Sequence, residues 1–217
     1  MPPLVRHFCE VCMNELLLRY PALEACRTEI AAAEEALVAC FASGGKLLLC
    51  GNGGSAADCD HIAGELGKAF LKKRPIPEEK RAAMAERCSE VAPLFDRLED
   101  ALPAIPLTAL TALLSAYGND REAELGYAQA TLSLGKPGDI LLAISTSGNS
   151  KNVLAAAKVA RSLGMQVIAL TGAGGGALAA FADVLLAVPE RETFKVQELH
   201  LPLYHYLCAT VEKRLFG

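Results

Sequence analysis

From Lys46 the chain runs through KLLLC, an uninterrupted apolar stretch, into Gly51-Asn52-Gly53-Gly54-Ser55 and on to the helix-compatible AADCDHIAGE. That order predicts a strand, an anion-binding turn and a helix. Glycines let backbone N–H groups approach a ligand closely, Ser55 can cap the helix and donate to an oxyanion, and the helix N-terminus adds the positive end of its dipole. A phosphate is the expected guest. His61 and Glu65 stand four residues apart and share a helix face, as half of a metal site, as an acid/base pair, or as a surface ion pair.

A second apolar run, DILLAIS, delivers the chain to Ser145-Thr146-Ser147-Gly148-Asn149-Ser150. Four hydroxyls within this stretch are more than a turn needs. Together with backbone N–H groups and a helix dipole they make a cup for a dianionic phosphate ester without any cation. Further runs at MQVIALT and DVLLAV, and a short one in ALPAIPLTAL, bring the total to about five strands separated by helical segments. Strands that are apolar throughout mean an α/β fold with a parallel sheet covered by helices on both faces. Ligands of such sheets sit at the carboxyl ends of the strands, where both GNGGS and STSGNS fall.

Before the first strand, apolar residues recur at helical spacing from Leu4 to about Phe41, with a break near Tyr20 and Pro21. This N-terminal arm, residues 1–41, is two helices or one bent helix. Its apolar faces exceed what a sheet can cover and so hint at oligomer packing. The helix after GNGGS is expected to run to about Leu71, where Lys72-Lys73-Arg74-Pro75 stops it. Residues 77–100 alternate acids with bases and read as a charged, mostly helical, solvent-exposed insertion. Gly118-Asn119-Asp120 reads as a turn, Ala123 to Leu134 as a short helix and Lys151 to Leu163 as an amphipathic one. The last helix, Val196 to Leu215, carries Gln197, His200 and His205. One domain over residues 1–217 accommodates all of this.

The formal net charge of −4 favours neither nucleic acid nor an anionic membrane. The N-terminus lacks the basic-then-apolar order of a signal peptide, and no apolar run reaches the length of a membrane span, which predicts a cytoplasmic protein. Its 8 cysteines are scattered and read as buried free thiols. The lone Cys9/Cys12 pair reads as helix packing. GNGGSA and the later GAGGGA both fit the loose dinucleotide fingerprint G-x-G-x-x-A. The first lacks an acidic residue at a strand end about twenty positions on, and the second precedes too short a helix, so nucleotide binding is the weaker reading.

Gln197 and His205, about two turns apart on the last helix, change the weight of the His61/Glu65 pair. Together the four supply a mixed nitrogen and oxygen set for a divalent metal, zinc first. His200, five residues before His205, points away from it and reads as a packing or supporting residue.

GNGGSAADCDHIAGEL, GND, ISTSGNS, ALTG and VQELHLPLYH, in this order and with this internal spacing, resemble the SIS-domain proteins of the phosphoheptose isomerase type. The resemblance covers nearly the whole chain apart from residues 77–100. It implies a single SIS domain, a homotetramer with active sites near subunit contacts, and interconversion of sedoheptulose 7-phosphate and glycero-manno-heptose 7-phosphate on the way to lipopolysaccharide or related heptosides. It also implies that Ser55, Ser145, Thr146, Ser147 and Ser150 hold the sugar phosphate, that Asn52 and Gly53 shape that pocket, and that Asp120 and Gln197 contact the substrate. His61, Glu65, Gln197 and His205 are the implied ligands of the divalent metal, with Glu65 and His205 also the proton-transfer pair.

Aldose–ketose isomerisation through an enediol needs a base at carbon and an acid at the neighbouring oxygen. A metal near both oxygens would stabilise the enediolate. Two positions depart from the family pattern: Ala69 stands where the family has an arginine, with Lys68 and Lys72 nearby, and Phe194 where it has an aspartate. The competing readings are a non-catalytic SIS-domain protein of the kind that binds the bacterial replication initiator, and a sugar-phosphate sensor. Retention of His61, Glu65, Gln197 and His205 favours the enzyme.

Overall fold

The computed structural model describes residues 3–217, with side chains described from His7 onward. Five short segments build the sheet: β1 (Leu47–Cys50), β2 (Ala104–Pro106), β3 (Ile140–Ser145), β4 (Gln166–Thr171) and β5 (Val184–Ala187). They lie in the order β2-β1-β3-β4-β5, and every neighbouring pair is parallel. The register sets Leu47 beside Ile140, and Ile140 beside Gln166.

Successive side chains of a strand point to opposite faces, so each strand feeds two cores. Leu47, Leu49, Ile140, Leu142, Ile144, Ile168 and Leu170 join one core with residues of α1 (Pro3–Arg19), α2 (Arg27–Ala42), α3 (Gly54–Gly67) and α8 (Thr193–Phe216). Leu48, Cys50, Leu141, Ala143, Val167 and Ala169 join the other, against α6 (Gly126–Leu134) and α7 (Lys151–Ser162). Burial on both faces is why the strands read as continuous apolar runs.

The two first helices are joined by a 3-10 turn at Pro21–Cys26, which is the break expected near Pro21. Residues 78–97 are helical and largely exposed, as α4 (Glu78–Arg87) and a 3-10 turn at Ser89–Arg97 in which Phe95 is buried. Gly118, Asn119 and Asp120 are not a free turn. They complete the last turn of α5 (Thr111–Asp120).

The helix after the glycine turn also stops earlier than its periodicity predicts, at Gly67 rather than near Leu71. Side chains beyond the helix explain this. Arg74, fully buried, donates from Nη1 to the Leu66 carbonyl at 2.7 Å and from Nη2 to the Glu65 carbonyl at 3.2 Å. Those carbonyls would otherwise accept the bonds of a continuing helix. The Glu212 carboxylate, on α8, accepts from the N–H groups of Phe70 and Leu71 and from Arg74 Nε at 2.8, 2.7 and 2.7 Å. Tertiary partners therefore outbid the local helix.

Because β2 and β3 flank β1 on opposite sides, the carboxyl ends of β1 and β3 border a crevice where strand order reverses. Open α/β sheets bind their ligands at such a switch point. Among the described residues no helix is long and apolar enough to cross a membrane.

Candidate active site

Both loops at the crevice are built by the strands that precede them. After β1, Gly53 takes a positive φ of 55° at the N-cap of α3. Ser55 is buried as the second residue of that helix, its N–H donating to the Asn52 carbonyl at 3.0 Å. Among the described residues no side chain caps α3, so the capping role expected for Ser55 is not taken up. After β3, the hydroxyls of Ser145 and Ser150 lie 3.0 Å apart. Ser147 Oγ accepts the Asn149 N–H at 3.2 Å, and Thr146 is half-buried beside it.

Gly148 has a φ of 66°, and a side chain there would strike the carbonyl of Gly175. The glycine run after β4 therefore packs directly under STSGNS. Asn149 Oδ1 accepts the Ala177 N–H at 2.9 Å and fastens the two loops further. This gives GAGGGA a use as a buttress. The two crevice loops are tied to each other by Asn52 and Asn152, whose amides exchange two hydrogen bonds.

The second group of candidates arises because α3 and α8 run side by side in the same direction. Gln197 lies against Gly54, where any side chain would collide with its amide. Further along, His61 Nε2 stands 3.3 Å from Glu65 Oε1 and 3.5 Å from His205 Nε2. Glu65 Oε2 accepts from Lys68 Nζ at 2.9 Å, so a cation reaches the carboxylate although position 69 is alanine. The Phe70 ring centroid is 5.7 Å from that of His205. A cleft of about 270 Å³ between α1, α8 and the Phe70–Leu71 segment opens onto His205.

Behind His61, Nδ1 lies 3.0 Å from the Tyr204 hydroxyl oxygen, which donates to Asp58 Oδ1 at 3.2 Å. Burial pushes the Glu65 carboxyl upward, but Lys68 and His61 outweigh it and hold the group below the usual carboxylate range. Burial and the neighbouring His61 push His205 below the usual imidazole value against the pull of Glu65. At neutral pH the cluster thus presents a carboxylate beside a neutral imidazole.

Ligand atoms 2.0–2.1 Å from a tetrahedral zinc are about 3.3 Å apart. The two separations around His61 Nε2 are close to that spacing, and imidazole and carboxylate are donor types that a divalent cation takes. Among the described residues no three His, Cys, Asp or Glu side chains form a closed ligand group. Gln197 lies about 12 Å along α8 from His205, at 1.5 Å per residue.

Asp120 ends α5 exposed, accepting from Asn119 at 2.9 Å and making no hydrogen bond to the other candidates. Phe194 is exposed at the start of α8. His200 is fully buried: its Nε2–H donates to the Thr171 carbonyl at 3.2 Å, Nδ1 has no partner, and burial pushes its pKa down to about 4. It is a packing residue, as its offset from His205 implies. Asn152, Asp58, Tyr204 and the Arg74–Glu212 pair escape the sequence reading. Only Asp58 carried a signal, standing three residues before His61 and hence on its helix face.

The SIS domain family matches this chain over residues 14–101 and 82–172. The phosphoheptose isomerase of Rhodospirillum rubrum is 38% identical over 97% of each chain. That of Methylibium petroleiphilum is 40% identical over 98% of this chain and 93% of its own. Among solved structures, the phosphoheptose isomerase of Neisseria gonorrhoeae superposes with a TM-score of 0.72 at 35% identity, covering 96% of both chains. The chain belongs to the SIS-domain family and, within it, is of the phosphoheptose isomerase type.

Proposed function

We propose that this protein interconverts sedoheptulose 7-phosphate and D-glycero-D-manno-heptose 7-phosphate through an enediol. The observation that carries the reading is the meeting of Glu65 and His205 at His61, on the α3–α8 seam that starts at the phosphate-type loop after β1. In this account Ser55, Ser145, Thr146, Ser147 and Ser150 grip the phosphate ester, Asn52 and Gly53 shape the cup, and Asp120 and Gln197 contact the sugar.

Glu65, ionised, takes a proton from C1 of the ketose, and the C2 carbonyl oxygen gains one from His205. The O1 proton then leaves to the imidazole as Glu65 returns its proton to C2, so the aldose forms with no net change in protons. An imidazole kept neutral can still serve as the donor to an enediolate oxygen. His61, Glu65 and His205 would hold a divalent cation, zinc first, which supplies polarisation of the two substrate oxygens.

A homotetramer is part of the proposal. Leu71 and Leu201 are exposed apolar side chains lining the cleft that opens onto His205, and Val11 and Leu18 are exposed on α1. A patch of this kind suits burial by another copy. We place the enzyme in the cytoplasm. Turnover of sedoheptulose 7-phosphate by the purified protein, with a stoichiometric divalent ion in its metal analysis, tests the reading. Absence of turnover with every divalent metal tried would overturn it.

A further inference from the structure

His61 is held from behind by a chain of two hydrogen bonds. Its Nδ1 lies 3.0 Å from the Tyr204 hydroxyl oxygen, and the same hydroxyl lies 3.2 Å from Asp58 Oδ1. A phenol has one proton to donate, and an ionised carboxylate can only accept. The hydroxyl proton therefore points to Asp58. The contact between Tyr204 and His61 must then be made by a proton on Nδ1. Nε2 faces Glu65 Oε1 and His205 Nε2 and is the ring nitrogen left to meet a cation.

The packing leaves the chain little freedom. Asp58 and His61 are one turn apart on α3, and Tyr204 reaches them from α8 with only 1% of its surface exposed. Its ring meets the His61 imidazole edge-on, with centroids 5.5 Å apart and planes at 77°. Burial and the neighbouring Asp58 keep the phenol proton in place by pushing its pKa far up.

We infer that Tyr204, anchored on Asp58, is a positioning residue that holds a proton on Nδ1 of His61 and turns Nε2 toward Glu65 and His205. The Nδ1 proton is a property of the folded chain. Only the use made of Nε2, to hold a divalent cation, rests on the isomerase reading. Hydrogen bonds of this kind behind a ligating histidine orient the ring and raise its affinity for metal.

The test uses metal-free protein at about pH 7.5, above the ordinary imidazole value, with the tautomer read from isotope-labelled histidine nitrogens by NMR. Wild-type protein should show His61 protonated at Nδ1. Asp58→Asn, whose amide oxygen still accepts from Tyr204, should keep the Nδ1 proton. Asp58→Ala frees the phenol proton to donate to Nδ1 and should remove the proton from that nitrogen. Tyr204→Phe should weaken zinc, measured by chelator competition, about 10–100-fold.

A wild-type His61 without a proton on Nδ1, an Nδ1 proton kept in Asp58→Ala, or unchanged zinc affinity in Tyr204→Phe would overturn the inference. If wild-type protein shows the Nδ1 proton and Asp58→Ala removes it, but no heptose phosphate is turned over, the isomerase reading falls and the positioning role stands.

Discussion

The side-chain amides of Asn52 and Asn152 exchange two hydrogen bonds, at 2.9 and 2.8 Å, across 100 residues of chain. They tie the loop after β1 to the first turn of α7 at the place where strand order reverses. Asn152 Oδ1 also accepts the Val153 N–H at 3.0 Å, so the pair is anchored to the helix start. Losing such a bond costs about 1 kcal/mol, which predicts a KM for the sugar phosphate about fivefold higher in Asn152→Ala, with kcat little changed. Adding Asn52→Ala should cost little more, because the shared bonds are already gone. Steady-state kinetics of the two single variants and the double variant check this, and additive effects would count against it.

The hydroxyls of the STSGNS loop are assigned to the phosphate, and that assignment is separable from chemistry. Removing a hydroxyl that bonds an ionised group costs about 1.5–3 kcal/mol, roughly tenfold to a hundredfold in affinity. Ser145→Ala and Ser147→Ala should therefore raise KM and weaken inhibition by a non-reacting sugar phosphate by the same factor. A fall confined to kcat would place these hydroxyls elsewhere in the reaction.

Arg74 and Glu212 are both buried, and together they satisfy two backbone N–H groups of the segment between α3 and α4 and two carbonyls in the last turn of α3. Removing one member of a buried pair leaves an uncompensated charge, at a cost of about 3–5 kcal/mol. Arg74→Met should lower the denaturant midpoint accordingly. The second change Glu212→Leu should restore little of it, since it takes away the acceptor of the Phe70 and Leu71 N–H groups.

His200 predicts a pH dependence of stability. Its folded pKa is depressed to about 4 from an ordinary 6.5. Below the unfolded value the unfolded chain takes up a proton that the folded chain refuses, so stability is complete above 6.5 and is lost as pH falls toward 4. The slope approaches about 1.4 kcal/mol per pH unit. Denaturant unfolding across this window should show the loss in wild type and a flatter profile in His200→Leu.

The sequence reached the sheet because its strands are buried on both faces and so are apolar at every position, as Leu47 through Cys50 show. It reached both crevice loops for a related reason: each follows such a strand directly. It overran the end of α3, because the groups that stop that helix, the guanidinium of Arg74 and the carboxylate of Glu212, come from other parts of the chain. Asn152 and Tyr204 were invisible for the same cause. Neither stands in a patterned position, and each gains its meaning only from a partner that the fold delivers. His61 and Glu65 were readable as a pair because helical spacing puts them on one face, whereas the sequence joined His205 to them by residue type and the fold brings it to 3.5 Å from His61.

The central claim is that Glu65 is the base of an isomerase whose phosphate cup is a separate part of the site. Glu65→Gln keeps the shape of the side chain and removes its basicity. With sedoheptulose 7-phosphate as substrate, aldoheptose phosphate formation should fall by about 100-fold or more, while binding of the phosphate ester, measured by calorimetry, survives. Wild-type turnover retained in Glu65→Gln would contradict the account.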